Sequence, residues 1–198
     1  MQWTISNQLT VSRVLVIPIF ISAYYLSGIW GHLLAALLFL LAAITDWLDG
    51  YLARKRKEVT SFGRFLDPVA DKLLVAAALV LLVASDHVPA VLAIIIIGRE
   101  ITIGALREWL AQQATVVHVS LIAKWKTGMQ MTAITMLLLH IDIIGISMHL
   151  LGLGLLWLAA LLTLWSGYEY LRDAWPEMRG TASTASQTLA SEQEPTDN

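Results

Sequence analysis

The run Val14-Leu15-Val16-Ile17-Pro18-Ile19-Phe20-Ile21-Ser22-Ala23-Tyr24-Tyr25-Leu26-Ser27-Gly28-Ile29-Trp30-Gly31-His32-Leu33-Leu34-Ala35-Ala36-Leu37-Leu38-Phe39-Leu40-Leu41-Ala42-Ala43-Ile44-Thr45 holds 32 residues without one Asp, Glu, Lys or Arg. One membrane crossing takes roughly 20 residues, so the run is too long for a single helix, and Ser27-Gly28 with Gly31-His32 marks a turn inside it. Two apolar helices joined by a tight turn is the reading from which the rest of the chain follows. The whole sequence agrees: 57% of its 198 residues are hydrophobic, 14% are charged and the mean hydropathy is +0.67. Soluble domains carry about 45–50% apolar and about 25% charged residues. A single soluble domain, a disordered chain and a nucleic-acid binder are therefore excluded. The net charge of −2 selects no polyanionic partner, and zero cysteines exclude disulfides, thiolate metal sites and cysteine nucleophiles.

Extending the same division in both directions predicts an all-α integral membrane protein. Six transmembrane helices are expected at residues 8–27, 31–55, 63–85, 89–113, 122–141 and 147–172. Lys and Arg collect at Arg13, at Arg54-Lys55-Arg56-Lys57 with Arg64, at Lys124 and Lys126, and at Arg172 and Arg179. The first, third and fifth loops carry none, so the positive-inside rule puts both termini on the cytoplasmic side of the cell membrane. The first twelve residues lack a positive charge and do not read as a cleaved signal peptide. Residues 1–176 are expected to form the membrane domain. Residues 177–198 are expected to be a flexible cytosolic tail, because Thr181 to Asn198 is rich in Ser, Thr, Ala and Gln and too polar to pack.

Beyond Thr45 the composition changes. The chain reads Asp46-Trp47-Leu48-Asp49-Gly50-Tyr51-Leu52-Ala53-Arg54, then eight residues, then Gly63-Arg64-Phe65-Leu66-Asp67-Pro68-Val69-Ala70-Asp71. Each ionisable residue in a span costs roughly 2.5–3.5 kcal/mol to insert, so four aspartates in two adjacent helices call for a function. Asp46, Asp49, Gly50 and Ala53 follow i, i+3, i+4, i+7 spacing and share one helical face. Gly63, Asp67 and Asp71 recur every fourth residue and share a face of the next helix. At about 1.5 Å per residue, both acid pairs lie within about 14 Å of the cytoplasmic ends of their helices, at matching depth. Carboxylates without His or Cys suit Mg²⁺ or Mn²⁺. Four of them suit two ions, and a metal pair can stabilise displacement at phosphorus. The competing reading is a cytoplasmic salt-bridge cluster with Arg54, Lys55, Arg56 and Arg64.

The pattern Asp46-x-x-Asp49-Gly50-x-x-Ala53-Arg54-x8-Gly63-x-x-x-Asp67-x-x-x-Asp71 resembles the signature of the CDP-alcohol phosphotransferases, with every specified position met. The resemblance implies a six-helix membrane enzyme, commonly a homodimer, that transfers a phosphatidyl or related group from a CDP-linked donor to an alcohol and releases CMP. By position it makes Asp46, Asp49, Asp67 and Asp71 the metal ligands, with Asp71 also the general base for the acceptor hydroxyl. It assigns Gly50, Ala53, Arg54 and Gly63 to the CDP moiety, with Arg54 on the diphosphate.

Outside the signature, Gly98-Arg99-Glu100, Arg107-Glu108, Lys124-Trp125-Lys126-Thr127 and Asn7-Gln8-Leu9-Thr10-Val11-Ser12-Arg13 place further cations near the cytoplasmic side. Several cations beside a phosphotransfer centre favour an acceptor that itself carries phosphate, since guanidinium groups bind phosphate bidentately. Together these segments resemble the bacterial branch of the family that makes phosphatidylglycerophosphate. That resemblance implies CDP-diacylglycerol as donor, sn-glycerol 3-phosphate as acceptor, and Arg99, Arg107 and Lys124 on the acceptor phosphate, with Thr10 and Arg13 as further contacts. Arg99 reads alternatively as the ion-pair partner of Glu100, and Lys126 as a determinant of topology. His32, His87, His140 and His149 lie near the other ends of the spans and read as interfacial side chains. Other readings are another phosphorylated acceptor such as inositol phosphate, an intramembrane prenyltransferase, or a divalent-cation transporter.

Overall fold

A computed structural model describes the backbone of residues 5–56, 61–112, 121–140, 142–143 and 146–192, and side chains at 10–45, 66, 68–111, 125–140 and 147–175. Six helices follow one another in these residues: α1 (Ile5–Tyr24), α2 (Ile29–Arg56), α3 (Ser61–Ala84), α4 (Ala90–Gln112), α5 (Leu121–Leu139) and α6 (Met148–Glu192). Between α5 and α6 the chain forms a two-stranded ladder, β1 (Asp142–Ile143) against β2 (Ile146–Ser147), with Asp142 opposite Ser147. That short ladder is the one departure from an all-helical chain among the described residues.

The turns fall where the sequence loses its helix formers. Gly28 adopts φ +83°, which closes α1 and starts α2, and a Cβ at Gly31 would overlap the Leu26 carbonyl. Asp86 (φ 58°) reverses the chain after α3, while His87 and Val88 both donate their backbone N–H to Leu82 O, at 2.9 and 3.2 Å. Pro89 then precedes α4, where its missing N–H costs nothing. His140 (φ 49°) ends α5 in the left-handed region.

α5 packs on α6, α1 on α2 and α3, α2 on α5, and α4 on α6 and α3. The centre is built from Phe20, Phe39, Leu74, Leu79, Leu82, Ile134, Leu137, Leu138 and Leu156, with many alanines between the helices, among them Ala35, Ala78, Ala133 and Ala160. Small side chains let backbones approach closely in a solvent that supplies no hydrophobic drive between helices. The outer surface is the inverse. Leu15, Ile94, Leu161 and Trp165 are exposed by 61, 68, 60 and 60%, more apolar surface than water tolerates in contiguous patches. Among the described residues one helical stretch, Met148–Trp175, is long and apolar enough by itself to cross a membrane. Among the described residues the apolar helical stretches Thr10–Tyr24 and Ile29–Thr45 are shorter.

α6 runs as one helix from Met148 to Glu192, past the boundary expected at residue 176, and 193–198 lie outside the described residues.

Candidate active site

α2 and α3 carry the whole acidic motif on helical backbone: Asp46, Asp49, Gly50, Ala53 and Arg54 on α2, Gly63, Asp67 and Asp71 on α3. The two helices pack against each other. Of these residues the described side chain is that of Asp71; those at positions 46, 49, 50, 53, 54, 63 and 67 lie outside the described set, as does Lys124.

Asp71 is partly buried and lines a cavity of about 230 Å³ between α3, α4 and α5. Lys72, Glu100, Thr127 and Gln130 supply its other polar walls, and Ile97 and Met131 are among its apolar ones. Gln130 is 4% exposed and its side-chain oxygen is buried without a hydrogen-bond partner. An unpaired buried acceptor is costly, so the cavity offers a ligand donor a ready site. Lys72 was not singled out by the sequence reading, because it sits one residue, about 100° of helix, from the aspartate face. Its ammonium occupies the space that a Cβ at Gly104 would fill, so the glycine on α4 makes room for it.

Behind the cavity a charged network joins three helices. Glu100 Oε1 accepts hydrogen bonds from Lys126 Nζ at 2.6 Å and from Arg99 Nη1 at 3.2 Å. Arg99 also donates from Nη2 to Ser166 Oγ at 2.8 Å and from Nε to the Thr163 carbonyl at 3.1 Å. The guanidinium is thus engaged by Glu100 and α6, the ion-pair alternative open at the level of sequence. Lys126, with 4% of its side chain exposed, is a buried partner of Glu100 rather than a topology determinant alone. Thr163 and Ser166 entered no site expectation, and Glu100 entered only as the alternative partner of Arg99; partners 26 and 67 residues apart are invisible without knowledge of which helical faces meet.

The remaining candidates are spread along the helices. Arg107 is exposed on α4, with its guanidinium carbon 5.7 Å from the centre of the Tyr170 ring. Thr10 and Arg13 are buried in α1, at 0 and 2% exposure.

The chain matches the family model for CDP-alcohol phosphatidyltransferase over residues 3–165. It is 49% identical to a CDP-diacylglycerol–glycerol-3-phosphate 3-phosphatidyltransferase of Pseudomonas fluorescens, over 88% of this chain and 92% of that protein. It is 44% identical to CDP-diacylglycerol–glycerol-3-phosphate 3-phosphatidyltransferase 2 of Arabidopsis thaliana, over 87% of this chain and 80% of that one. A cardiolipin synthase (CMP-forming) of Oryza sativa subsp. japonica is 46% identical over 87% of this chain and 57% of its own length.

Proposed function

The chain belongs to the CDP-alcohol phosphatidyltransferases, and from that premise we propose that it transfers the phosphatidyl group of CDP-diacylglycerol to sn-glycerol 3-phosphate, giving phosphatidylglycerophosphate and CMP. The observation that carries the reading is Asp71, the last acid of the motif, at the wall of a cavity that also presents Lys72 and Glu100. Relatives named for this reaction and matched over most of their length supply the substrates.

The acidic residues fit divalent metal: the donor set is all carboxylate, and it lies on two packed helices at i, i+3 and i, i+4 spacings. Asp46, Asp49, Asp67 and Asp71 would hold Mg²⁺ or Mn²⁺, two ions in this account, which when bound offset charge on the diphosphate and on departing CMP. Gly50, Ala53 and Gly63 would contact the cytidine diphosphate, with Arg54 on the diphosphate. Asp71 takes the proton of the acceptor's primary hydroxyl while that oxygen bonds to the diacylglycerol-bearing phosphorus. The bond from this phosphorus to the bridging oxygen breaks, and CMP leaves with that oxygen. A carboxylate that shares its charge with cations is a weak base, so the hydroxyl must be held close and in line.

Arg107 and Lys124 hold the acceptor phosphate, with Thr10 and Arg13 completing the pocket from α1. Arg99 reaches that phosphate by exchanging its Glu100 contact. The account places six spans in the inner membrane, both termini and the site on the cytoplasmic side, acyl chains in lipid, and a second copy against the exposed apolar surface as a homodimer. The rice relative's name favours one second reading, with phosphatidylglycerol as acceptor. Purified enzyme with CDP-diacylglycerol and a panel of glycerol 3-phosphate, inositol 3-phosphate, serine and phosphatidylglycerol separates them. CMP release confined to glycerol 3-phosphate supports the proposal, and turnover to cardiolipin with phosphatidylglycerol replaces it.

A further inference from the structure

Four histidines from four segments meet at the end of the bundle opposite Asp71, about 20 Å along α3 at 1.5 Å per residue. His32 starts α2, His87 lies in the α3–α4 turn, His140 ends α5 and His149 starts α6. The His87 and His140 Nε2 atoms are 3.4 Å apart and their ring centres 4.2 Å apart. The ring of His149 lies 5.8 Å from His87 and 6.2 Å from His140, and that of His32 lies 5.7 Å from His140. The Nδ1 atoms of His32, His87 and His149 are buried without hydrogen-bond partners.

We propose that this quartet is a structural site for a divalent transition metal of the Zn²⁺ class, clipping together the ends of α2, α5 and α6 and the α3–α4 turn. Nitrogens bound to one tetrahedral Zn²⁺ at about 2.0–2.1 Å stand about 3.3–3.4 Å apart, and their ring centres about 5 Å apart. The His87–His140 pair already has that nitrogen spacing, while its ring centres at 4.2 Å stand closer than the second figure and the other ring pairs, at 5.7, 5.8 and 6.2 Å, stand farther, so the rings turn to share an ion. Among the described residues no three His, Asp or Glu side chains yet converge on a single point. The third ligand is therefore completed by rotation of His149 or His32 about its side-chain torsions, which frees an unpaired nitrogen from burial without a partner. Imidazole nitrogen without thiolate selects Zn²⁺, Ni²⁺ or Cu²⁺ over Mg²⁺, so this site and the carboxylate site sort their ions by chemistry.

Backbone geometry points the same way independently. His140 sits in the left-handed region at the end of α5, where glycine is the cheap choice, and Asp86, just before His87, is left-handed too. Non-glycine residues held there persist where the surroundings require them. The cluster is independent of the catalytic reading, since it shares no residue with it.

Protein without a polyhistidine tag, stripped of metal and kept in excess Mg²⁺ to fill the carboxylates, is titrated with Co²⁺ and followed by visible absorption. One equivalent with the strong bands of tetrahedral nitrogen ligation is expected. Affinity should fall at least tenfold in His87→Gln and in His140→Gln and stay unchanged in Asp71→Asn. Equal uptake in the histidine variants overturns the proposal. X-ray absorption of the Zn²⁺-loaded unaltered protein decides the question even if those variants fail to fold: nitrogen ligands support the site, and an oxygen-only shell refutes it.

Discussion

Replacing Glu100 by alanine removes the one acceptor that the structure gives both Lys126 and Arg99, at 2.6 and 3.2 Å. Lys126 has 4% of its side chain exposed and Arg99 has 12%, so both cations are largely shielded from water. Breaking a fully buried pair by removing one partner costs about 3–5 kcal/mol. Glu100 itself is 29% exposed, and Arg99 keeps its bonds to Ser166 and Thr163, so the cost falls just below that range, at about 2–3 kcal/mol. At roughly 2–4 °C per kcal/mol for a chain of this size, unfolding in detergent should shift down by about 5–10 °C. Lys126→Met alone should cost less, because the more exposed carboxylate it strands is more easily hydrated. The double variant Glu100→Ala/Lys126→Met should recover part of the loss, with a coupling of about 1–3 kcal/mol. A Glu100→Ala transition within 1–2 °C of the unaltered protein, or strictly additive losses, would show that Lys126 is hydrated and refute the network's role.

Three other substitutions test the site. Asp71→Asn should abolish phosphatidyl transfer while the detergent-solubilised protein elutes and melts normally; turnover near the unaltered rate removes it as the base. Gly104→Ala puts a methyl where the Lys72 ammonium lies, but the helix gains about 1 kcal/mol of propensity and the lysine end can move. Stability should therefore barely change while kcat/KM drops several-fold, and unchanged kinetics would place Lys72 outside the reaction. Arg107→Ala should raise the KM for glycerol 3-phosphate about tenfold, the scale of one charge-assisted contact of about 1.5–3 kcal/mol, with donor KM unmoved. A rise confined to CDP-diacylglycerol would reassign Arg107 to the donor.

The elements were legible because charge and glycine punctuate an apolar chain. Helix three, expected at 63–85, is observed as Ser61–Ala84, and the Asp86 turn falls where a Pro and two polar residues cluster. The first helix ends at Tyr24 rather than residue 27 because the Gly28 turn consumes the residues before it. What periodicity could not supply was azimuth between helices. It grouped Asp46 with Asp49 and Asp67 with Asp71, each within one helix, yet passed over Lys72. It left Arg99 open between the acceptor phosphate and an ion pair with Glu100, and in the structure the guanidinium meets Glu100 and α6. It likewise set all four histidines at one end, as separate interfacial side chains, while packing brings them to one place.

The central claim, that the four aspartates gather around paired cations, is tested most directly by Mn²⁺ titration of the purified enzyme with electron paramagnetic resonance. Two strongly coupled Mn²⁺ ions, about 3.5–4 Å apart as in two-metal sites, are expected, with the coupled signal lost in Asp46→Asn, Asp49→Asn, Asp67→Asn and Asp71→Asn alike. A single uncoupled ion, or a coupled pair that survives any of those substitutions, would contradict it.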